Sequence, residues 1–306
     1  MSNSPTKPPG IVCFGEILWD ILPDKSVPGG APMNVAYHLH QLGDHPALYT
    51  RVGADERGRQ LMEILREKGI NRDLVQLDHD TPTGIVHAKA NEEGEMSYEI
   101  VSPAAWDHIA MDSVAENTVR EADYFVYGSL IARHQTSRDT LFRMLEIARN
   151  KVLDINLRTP HFNRALVENL LEKSDVVKMN IAELELITGW FSDYTDTKAR
   201  MELIQARFGV PTVIVTMGGD GAIVHFRGQW FAHPGYKVKV ADTIGSGDSF
   251  LAAFLSEISQ GKEPGQALKF ASGLGALVAS KTGGWPDYSI NEVHQIIAEK
   301  GSAIIH

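Results

Sequence analysis

Asp242-Thr243-Ile244-Gly245-Ser246-Gly247-Asp248 is a short glycine-rich turn between two well-marked elements. Residues 236–240 before it alternate and carry β-branched side chains, which predicts a strand. Residues 249–258 after it are mostly apolar, which predicts a helix. The first N–H groups of a helix lack partners, and the helix dipole is positive at that end. Strand, turn and helix together therefore predict an anion site.

Asp248 is the unexpected residue of this turn, because a carboxylate beside an anion site repels the ligand. One interpretation is that it accepts a proton from a substrate. The other is that it only caps the helix, which aspartate does well. Gly245 and Gly247 would let the backbone approach the anion closely. The turn alone leaves both interpretations open.

The composition is that of an ordinary globular protein and limits the possible partners. Of the 306 residues, 43% are hydrophobic and 22% are charged, which suits one large α/β domain or two modest ones. The formal net charge of −10 argues against a broad nucleic-acid surface. Cys13 is the only cysteine and lies in an apolar strand. It predicts a core thiol, no internal disulfide and a reducing compartment such as the cytoplasm.

Nothing in the sequence predicts a membrane protein. No stretch is long and apolar enough to span a bilayer. Residues 1–10 are polar and proline-rich and lack a hydrophobic segment, which predicts a flexible tail rather than a signal peptide. We therefore expect neither a membrane nor a nucleic acid among the partners.

From residue 11 onwards, strand patterns alternate with helix patterns. This order predicts a largely parallel sheet with helices on both faces. Residues 84–101 interrupt it with two strands around the polar turn 91–94, a hairpin that does not belong in a parallel sheet. Together with residues 16–28, the hairpin predicts a small second layer. Such a layer could act as a lid that keeps water from a reactive group.

Candidate ligand-binding residues come first from the N-terminal part. Gly29 and Gly30 precede Pro32, which predicts a turn into a helix with Asn34 in its first turn. Asn34 either faces whatever the glycines admit or has only a structural role. Asp20 lies among apolar residues and is either an acceptor for ligand hydroxyls or a surface strand position. These segments alone do not decide between the alternatives.

Three later strands each end in polar or glycine-rich turns. Ligands bind at the carboxyl ends of the strands in such sheets, so this series predicts a site at one edge. The candidates there are Asn156, Arg158, Asn180, Glu183, Thr216, Gly218 and Gly221.

Several common motifs are absent from the sequence. It contains no P-loop, and no dinucleotide-binding glycine motif follows the first strand. It also lacks the zinc-protease helix motif and the nucleophile elbow. His38 and His40 are two residues apart on a predicted helix, so they do not share a face and are poor metal ligands.

Four segments together resemble the ribokinase-like (PfkB) carbohydrate kinases. They occur in the same order as in the family, and the resemblance runs from about residue 11 to residue 300. Within the family, the fructokinases are the most similar members. Gly29-Gly30-Ala31-Pro32-Met33-Asn34, with Gly43 and Gly53 downstream, resembles the N-terminal signature of the family. Lys178-Met179-Asn180-Ile181-Ala182-Glu183 resembles its N-x-x-E motif, and Val215-Thr216-Met217-Gly218 with Gly221 resembles its nucleotide-loop motif. The opening turn 242–248 resembles its C-terminal signature.

The resemblance implies a fold and a reaction. The fold is a single ribokinase-like domain over residues 11–306. It is a three-layer α/β/α sandwich with a mostly parallel central sheet and a small β-sheet lid from about 16–28 and 84–101. The reaction is transfer of the ATP γ-phosphoryl to a primary hydroxyl, with D-fructose giving fructose 6-phosphate. The alternatives are another acceptor (ribose, 2-keto-3-deoxygluconate or a nucleoside) or a non-catalytic sugar-binding protein of the same fold.

The resemblance also assigns roles by position. Asp248 becomes the general base, and Gly245, Ser246 and Gly247 provide N–H groups for the phosphoryl. The implied sugar-binding residues are Asp20, Gly29, Gly30, Asn34 and Arg158. The implied residues for ATP and Mg²⁺ are Asn180, Glu183 (through water), Thr216, Gly218 and Gly221. Asp242 and the Ile244 carbonyl would bind a monovalent cation such as K⁺.

The sequence departs from the family pattern at two positions. Ser246 replaces an alanine common in the turn, which keeps the backbone N–H. Ser272 stands where some relatives carry an asparagine near the adenine, which leaves the base contacts open. Because lid strands often pair with their twins, we also expect a homodimer through the lid.

Overall fold

The computed structural model of the chain describes residues 9–22, 24–90 and 96–301. Most of the predicted tail (1–10) and the predicted polar turn (91–94) lie outside these residues. Gly10 is described, and its carbonyl oxygen accepts hydrogen bonds from the N–H groups of Asp123 and Tyr124.

Nine strands of the described chain form the central sheet, in the order β13-β12-β11-β10-β9-β8-β1-β4-β5. The seven strands from β11 to β5 run parallel, whereas β12 and β13 are antiparallel additions at one edge. The bounds are β1 Ile11–Phe14, β4 Ala47–Gly53, β5 Val75–Asp78, β8 Tyr124–Gly128, β9 Lys151–Asp154, β10 Val176–Asn180, β11 Thr212–Thr216, β12 Ala222–Phe226 and β13 Gln229–His233.

A second, four-stranded sheet has the order β3-β2-β6-β7. Its strands come from the two stretches that the sequence predicted as a second layer. The bounds are β2 Leu18–Ile21, β3 Ser26–Gly29, β6 Gly84–Ala90 and β7 Met96–Ile100. This sheet, together with the mostly parallel central sheet, confirms the predicted α/β fold class.

Helices cover both faces of the central sheet, so the protein has three layers. Buried side chains of α3 to α7 pack on one face, and those of α1, α2, α8, α9 and α10 pack on the other. The bounds are α1 Ala31–Gln41, α2 Glu56–Glu67, α3 Ser113–Glu121, α4 Gln135–Ile147, α5 Arg164–Glu172, α6 Ile181–Thr188, α7 Thr197–Phe208, α8 Ser246–Ser259, α9 Pro264–Ala279 and α10 Ile290–Gly301.

The predicted strand over residues 236–240 is wrong, because the chain from Pro234 to Val240 forms no strand. The alternation there does not reflect pairing: Tyr236 is buried, but Val240 is 57% exposed. This segment leaves β13 at the edge of the sheet and crosses to the start of α8, so no strand runs beside it. The next residue, Ala241, donates instead to the carbonyl oxygen of Ala279 at the end of α9.

Two other sequence predictions concern the interior and the membrane. Cys13 is fully buried, as expected for a core thiol. Of the helices formed by the described residues, none is both long and apolar enough to cross a membrane.

Candidate active site

The glycine turn occupies the start of α8, which begins at Ser246 with Gly245 as its N-cap. Gly245 has φ of +75°, and a Cβ there would lie 2.7 Å from the Cα of Gly284. At Gly247 a Cβ would lie 2.9 Å from the Nζ of Lys178. Gly245 is therefore needed both for close packing against backbone and for its left-handed conformation, whereas a Cβ at Gly247 would meet only the end of the Lys178 side chain.

The start of α8 has free hydrogen-bond donors. Among the residues that the structure describes, the N–H groups of Gly247 and Asp248 have no protein acceptor, while that of Ser246 donates to the Thr243 carbonyl at 3.3 Å. Free N–H groups at the positive end of a helix dipole form a site for an anion.

Asp248 does not cap α8, so the capping interpretation is wrong. Its Oδ2 accepts a hydrogen bond from the Nδ2 of Asn34 at 2.7 Å. Asn34 lies in the first turn of α1, is 5% exposed and makes no capping bond. The two residues are 214 positions apart, so only the packing of α1 against α8 brings them together.

The electrostatic surroundings of Asp248 oppose its ionised form. Burial and the Asp154 carboxylate raise the pKa of Asp248 to about 6. Lys178, the Asn34 hydrogen bond and Arg158 act in the opposite direction. A carboxylate with a pKa in this range is ionised at neutral pH and is a stronger base than an ordinary aspartate.

A buried ion pair lies under the glycine turn, and the sequence reasoning missed it. The Nζ of Lys178 on β10 donates to both carboxylate oxygens of Asp154 on β9, at 2.9 and 3.0 Å. Burial alone would lower the pKa of Lys178, but Asp154 and Asp248 raise it, so the ammonium stays charged. A signal was present, since a charged residue inside an apolar strand pattern needs a partner.

Asp20 lies against Gly29, one of the two glycines that precede α1. It lies on β2, and its neighbour across the small sheet is β3, which ends at Gly29. A Cβ on Gly29 would collide with the Asp20 carboxylate, and one on Gly30 with the backbone of Glu16. Burial raises the pKa of Asp20 to about 6, while Arg158 lowers it. Asp20 is partly exposed on the small sheet.

Arg158 follows β9 and is exposed. Its Nη1 donates to the Leu157 carbonyl oxygen at 3.1 Å. Its charge lowers the pKa of Asp20, Asp248 and Glu16, which shows that it lies near all three without pairing with one of them.

Glu16 is a further carboxylate that the site analysis from sequence overlooked. It is 3% exposed, and its Oε1 accepts from the N–H of Ala31 at the start of α1. Burial raises the pKa of Glu16 to about 7. Its position directly before an apolar strand was the available signal.

Asn180 and Glu183 form a reciprocal cap on α6. The Asn180 side chain accepts from the N–H of Glu183, and the Glu183 Oε2 accepts from the N–H of Asn180. The second oxygen of Glu183 accepts from the N–H of Leu157 at 2.8 Å. Each carboxylate oxygen therefore keeps a lone pair. Glu183 also joins α6 to the chain that follows β9.

Thr216 pairs with Asn180 across β10 and β11, so it lies at the same edge of the central sheet. Gly218 and Gly221 have positive φ in the turn that follows. Gly218 is exposed and has nothing near a Cβ position, whereas a Cβ on Gly221 would collide with the backbone around His233.

The residues present fit a magnesium ion held mainly by phosphate. In the described part of the chain, no group of three or more His, Cys, Asp and Glu side chains could hold a metal ion. Mg²⁺ is commonly held by one or two carboxylates with water and substrate phosphates, and Glu183 offers one carboxylate.

Asp242 joins the turn to the segment between α9 and α10. Its carboxylate accepts from the N–H of Ile244 at 3.0 Å and from that of Gly283 at 3.0 Å. The carboxylate is partly exposed, and its remaining lone pairs are available to a cation.

The sequence pattern of the pfkB family carbohydrate kinases matches residues 23–289. The chain belongs to this family.

The relatives of this carbohydrate kinase include several fructokinases. Fructokinase-1 of Oryza sativa subsp. japonica is 30% identical over 305 residues, which cover 90% of this chain and 93% of the relative. The ATP-bound fructokinase of Xylella fastidiosa has the same fold, with a TM-score of 0.84 at 22% identity over 95% of this chain and 98% of that one.

A third similar protein was solved with both sugar and nucleotide. It is the fructokinase of Vibrio cholerae O395 in its fructose, ADP and calcium ion bound form. It is 25% identical, with a TM-score of 0.81 over 95% of this chain and 99% of that one. The resemblance to ribokinase-like kinases is thus confirmed, and the chain is a fructokinase-like sugar kinase, a phosphotransferase that acts on a sugar hydroxyl.

Proposed function

We propose that this protein is an ATP-dependent fructokinase that converts D-fructose to fructose 6-phosphate. The observation that carries the proposal is the start of α8, where Asp248 lies beside free N–H groups and is held by Asn34. A base and an anion site at one helix start are what transfer of a phosphoryl group to a hydroxyl requires.

In this proposal Asp248 accepts the proton of the primary hydroxyl as the hydroxyl oxygen bonds to the γ-phosphorus. The bond from that phosphorus to the bridging oxygen breaks, and ADP leaves. The N–H groups of Gly245 and Gly247 would stabilise the charge on the transferring phosphoryl, and that of Ser246 would join them on leaving its 3.3 Å bond to the Thr243 carbonyl. Mg²⁺ with Glu183 nearby would neutralise phosphate charge. Asn180, Thr216, Gly218 and Gly221 would line the nucleotide site.

Fructose is the preferred acceptor because its neutral hydroxyls suit the proposed sugar site. The Asp20 carboxylate can accept hydrogen bonds, and the Asn34 amide can both accept and donate them. Gly29 and Gly30 allow a close packing around Asp20 and Glu16 that a Cβ would block. Arg158 would favour an acidic acceptor such as 2-keto-3-deoxygluconate, but a single exposed guanidinium is a weak basis for that selectivity. The fructokinase names of the relatives support the same choice.

The proposal includes four features besides the reaction. These are a single domain over residues 11–306, a cytoplasmic location, a homodimer through the small sheet as a lid, and a monovalent cation such as K⁺ at Asp242 and the Ile244 carbonyl.

An acceptor panel tests the proposed function. ATP consumption is measured with D-fructose, ribose, 2-keto-3-deoxygluconate and a nucleoside, and the product is identified by mass and NMR. We expect the highest kcat/KM with D-fructose and phosphorylation at its 6-hydroxyl. A higher value for another acceptor contradicts fructose specificity, and no turnover with any sugar contradicts the kinase assignment.

The pH dependence of kcat/KM should report Asp248 in the free enzyme. Because the base must be ionised and its pKa is about 6, kcat/KM is expected to fall as the pH drops through this value. Asp154→Asn removes a negative charge that raises this pKa, while Asp248 itself still favours the charged form of Lys178. The acid limb of the kcat/KM profile should therefore move to lower pH.

Asp175→Asn is the matched control for this prediction. Asp175 pairs with Lys151 at 3.1 Å, near the opposite ends of the same two strands. We expect the acid limb of the pH profile of the Asp175→Asn variant to match that of the wild type. An unshifted limb in Asp154→Asn would assign the titration to another group, such as Asp20 or Glu16.

A further inference from the structure

The segment between α9 and α10 (residues 280–289, here the closing segment) packs against α1 beside the proposed active site. The indole ring of Trp285 stacks on Tyr37, with centroids 5.5 Å apart and an angle of 9° between the planes. The Tyr37 hydroxyl donates to the Pro286 carbonyl at 3.1 Å. The Nε2 of His38 lies 3.0 Å from the Gly284 carbonyl oxygen. The closing segment is thus held on α1 by several independent contacts.

Trp285 also reaches the proposed base through Asn34. Its Nε1–H donates to the Oδ1 of Asn34 at 2.6 Å, and the Nδ2 of Asn34 donates to the Oδ2 of Asp248 at 2.7 Å. An indole N–H can only donate. It therefore selects the amide orientation in which Asn34 offers its oxygen to Trp285 and its N–H to Asp248.

We propose that Trp285 is a positioning residue for phosphoryl transfer, because it holds the Asn34 amide in the orientation that keeps Asp248 a hydrogen-bond acceptor. This inference rests on the proposed function. Without the indole donor, the amide can rotate and turn Oδ1 towards Asp248. An oxygen facing a carboxylate repels the ionised form and is satisfied only when that carboxylate carries a proton. The base would then be lost to protonation.

The effect of Trp285 can be separated from those of the charged groups around Asp248. These groups are Asp154 and Lys178 from the central sheet, Arg158 from the turn after β9, and Glu16 from the turn after β1. None of them hydrogen-bonds to Trp285 in the described structure. A change at the indole nitrogen therefore removes no hydrogen bond that these groups make.

The variant Trp285→Phe tests the inference, since phenylalanine can keep the stacking on Tyr37 but has no N–H. We expect kcat near neutral pH to fall about 10-fold, the size of one lost hydrogen bond of about 1.4 kcal/mol. KM for ATP should change less than about twofold. The acid limb of the kcat profile should move to higher pH, which a purely structural role of Trp285 would not produce.

Tyr37→Phe is the matched control, because it removes the hydroxyl bond that holds the same segment and leaves the indole donor. Its kcat and acid limb should equal those of the wild type. If the wild-type enzyme is active and Trp285→Phe has the same kcat and acid limb, the positioning role of Trp285 is overturned while the proposed function stands. A wild-type chain that phosphorylates no sugar overturns the proposed function, and this role with it.

Discussion

Replacing Asp248 by asparagine is expected to lower kcat by about 10³-fold or more, because it removes a general base and its charge from the proposed site. Sugar affinity should stay close to that of the wild type, since asparagine has nearly the same shape and its Oδ1 can still accept from Asn34. Steady-state ATP consumption gives kcat, and calorimetry with fructose gives the affinity.

Protein stability separates loss of catalysis from misfolding in this variant. The pKa of Asp248 is raised in the folded protein above its ordinary value, so above both values the ionised carboxylate destabilises the fold. The neutral asparagine should therefore give a Tm at neutral pH no lower than that of the wild type. A variant with near-normal kcat would remove Asp248 from the mechanism.

Asp196→Asn is a suitable control for the same chemical change. Asp196 is the N-cap of α7, where its side chain accepts from the N–H of Ala199 at 2.9 Å. Asparagine caps a helix as well as aspartate does. We expect this variant to keep the wild-type kcat and Tm.

Gly245→Ala is expected to lower kcat by about 100-fold, the loss that a displacement of about 1 Å in a reactive geometry can cause. A Cβ at this position would lie 2.7 Å from the Cα and 3.0 Å from the carbonyl oxygen of Gly284. Both are backbone atoms, so the start of α8 and the closing segment must move apart. This movement would disturb the free N–H groups and the contact from Trp285 to Asn34.

Gly261→Ala provides the control for the backbone conformation. Gly261 follows the C-terminal end of the same helix with φ of +79°, close to the +75° of Gly245, and nothing lies within 4 Å of its Cβ position. Gly261→Ala should lose about 1 kcal/mol of unfolding free energy because alanine disfavours positive φ. Gly245→Ala should lose more, because its Cβ must also displace the backbone of Gly284. Only Gly245→Ala should lose activity as well. Equal kcat values for the two variants would contradict the proposed packing role of Gly245.

Local pattern predicted those parts of the fold that depend on neighbouring residues. The strands that became β10 and β11 and the helix that became α8 follow from apolar periodicity and from glycine and proline signals. Residues 236–240 had a strand pattern too, but a strand also needs a partner at its side. That partner is a matter of tertiary packing, and none is there.

The candidate site divides in a similar way. The motifs identified Asp248 and Asn34, but not their contact or the amide orientation that Trp285 selects across 251 positions of the chain. The pair of Lys178 and Asp154 arises from the parallel register of β9 and β10. Register and helix packing depend on burying surface from distant segments, which no local pattern records.

The sequence by itself determined the α/β layers, the edge of the sheet where the polar residues collect, and the glycine turn 242–248 before a helix. Periodicity and turn chemistry act over a few residues, so they can be read directly. Only the tertiary structure decided that Asp248 bonds to Asn34 rather than capping α8. It also decided that the buried ammonium of Lys178 and the closing segment lie against the turn. These contacts join segments that meet only when α1, α8 and the central sheet pack together.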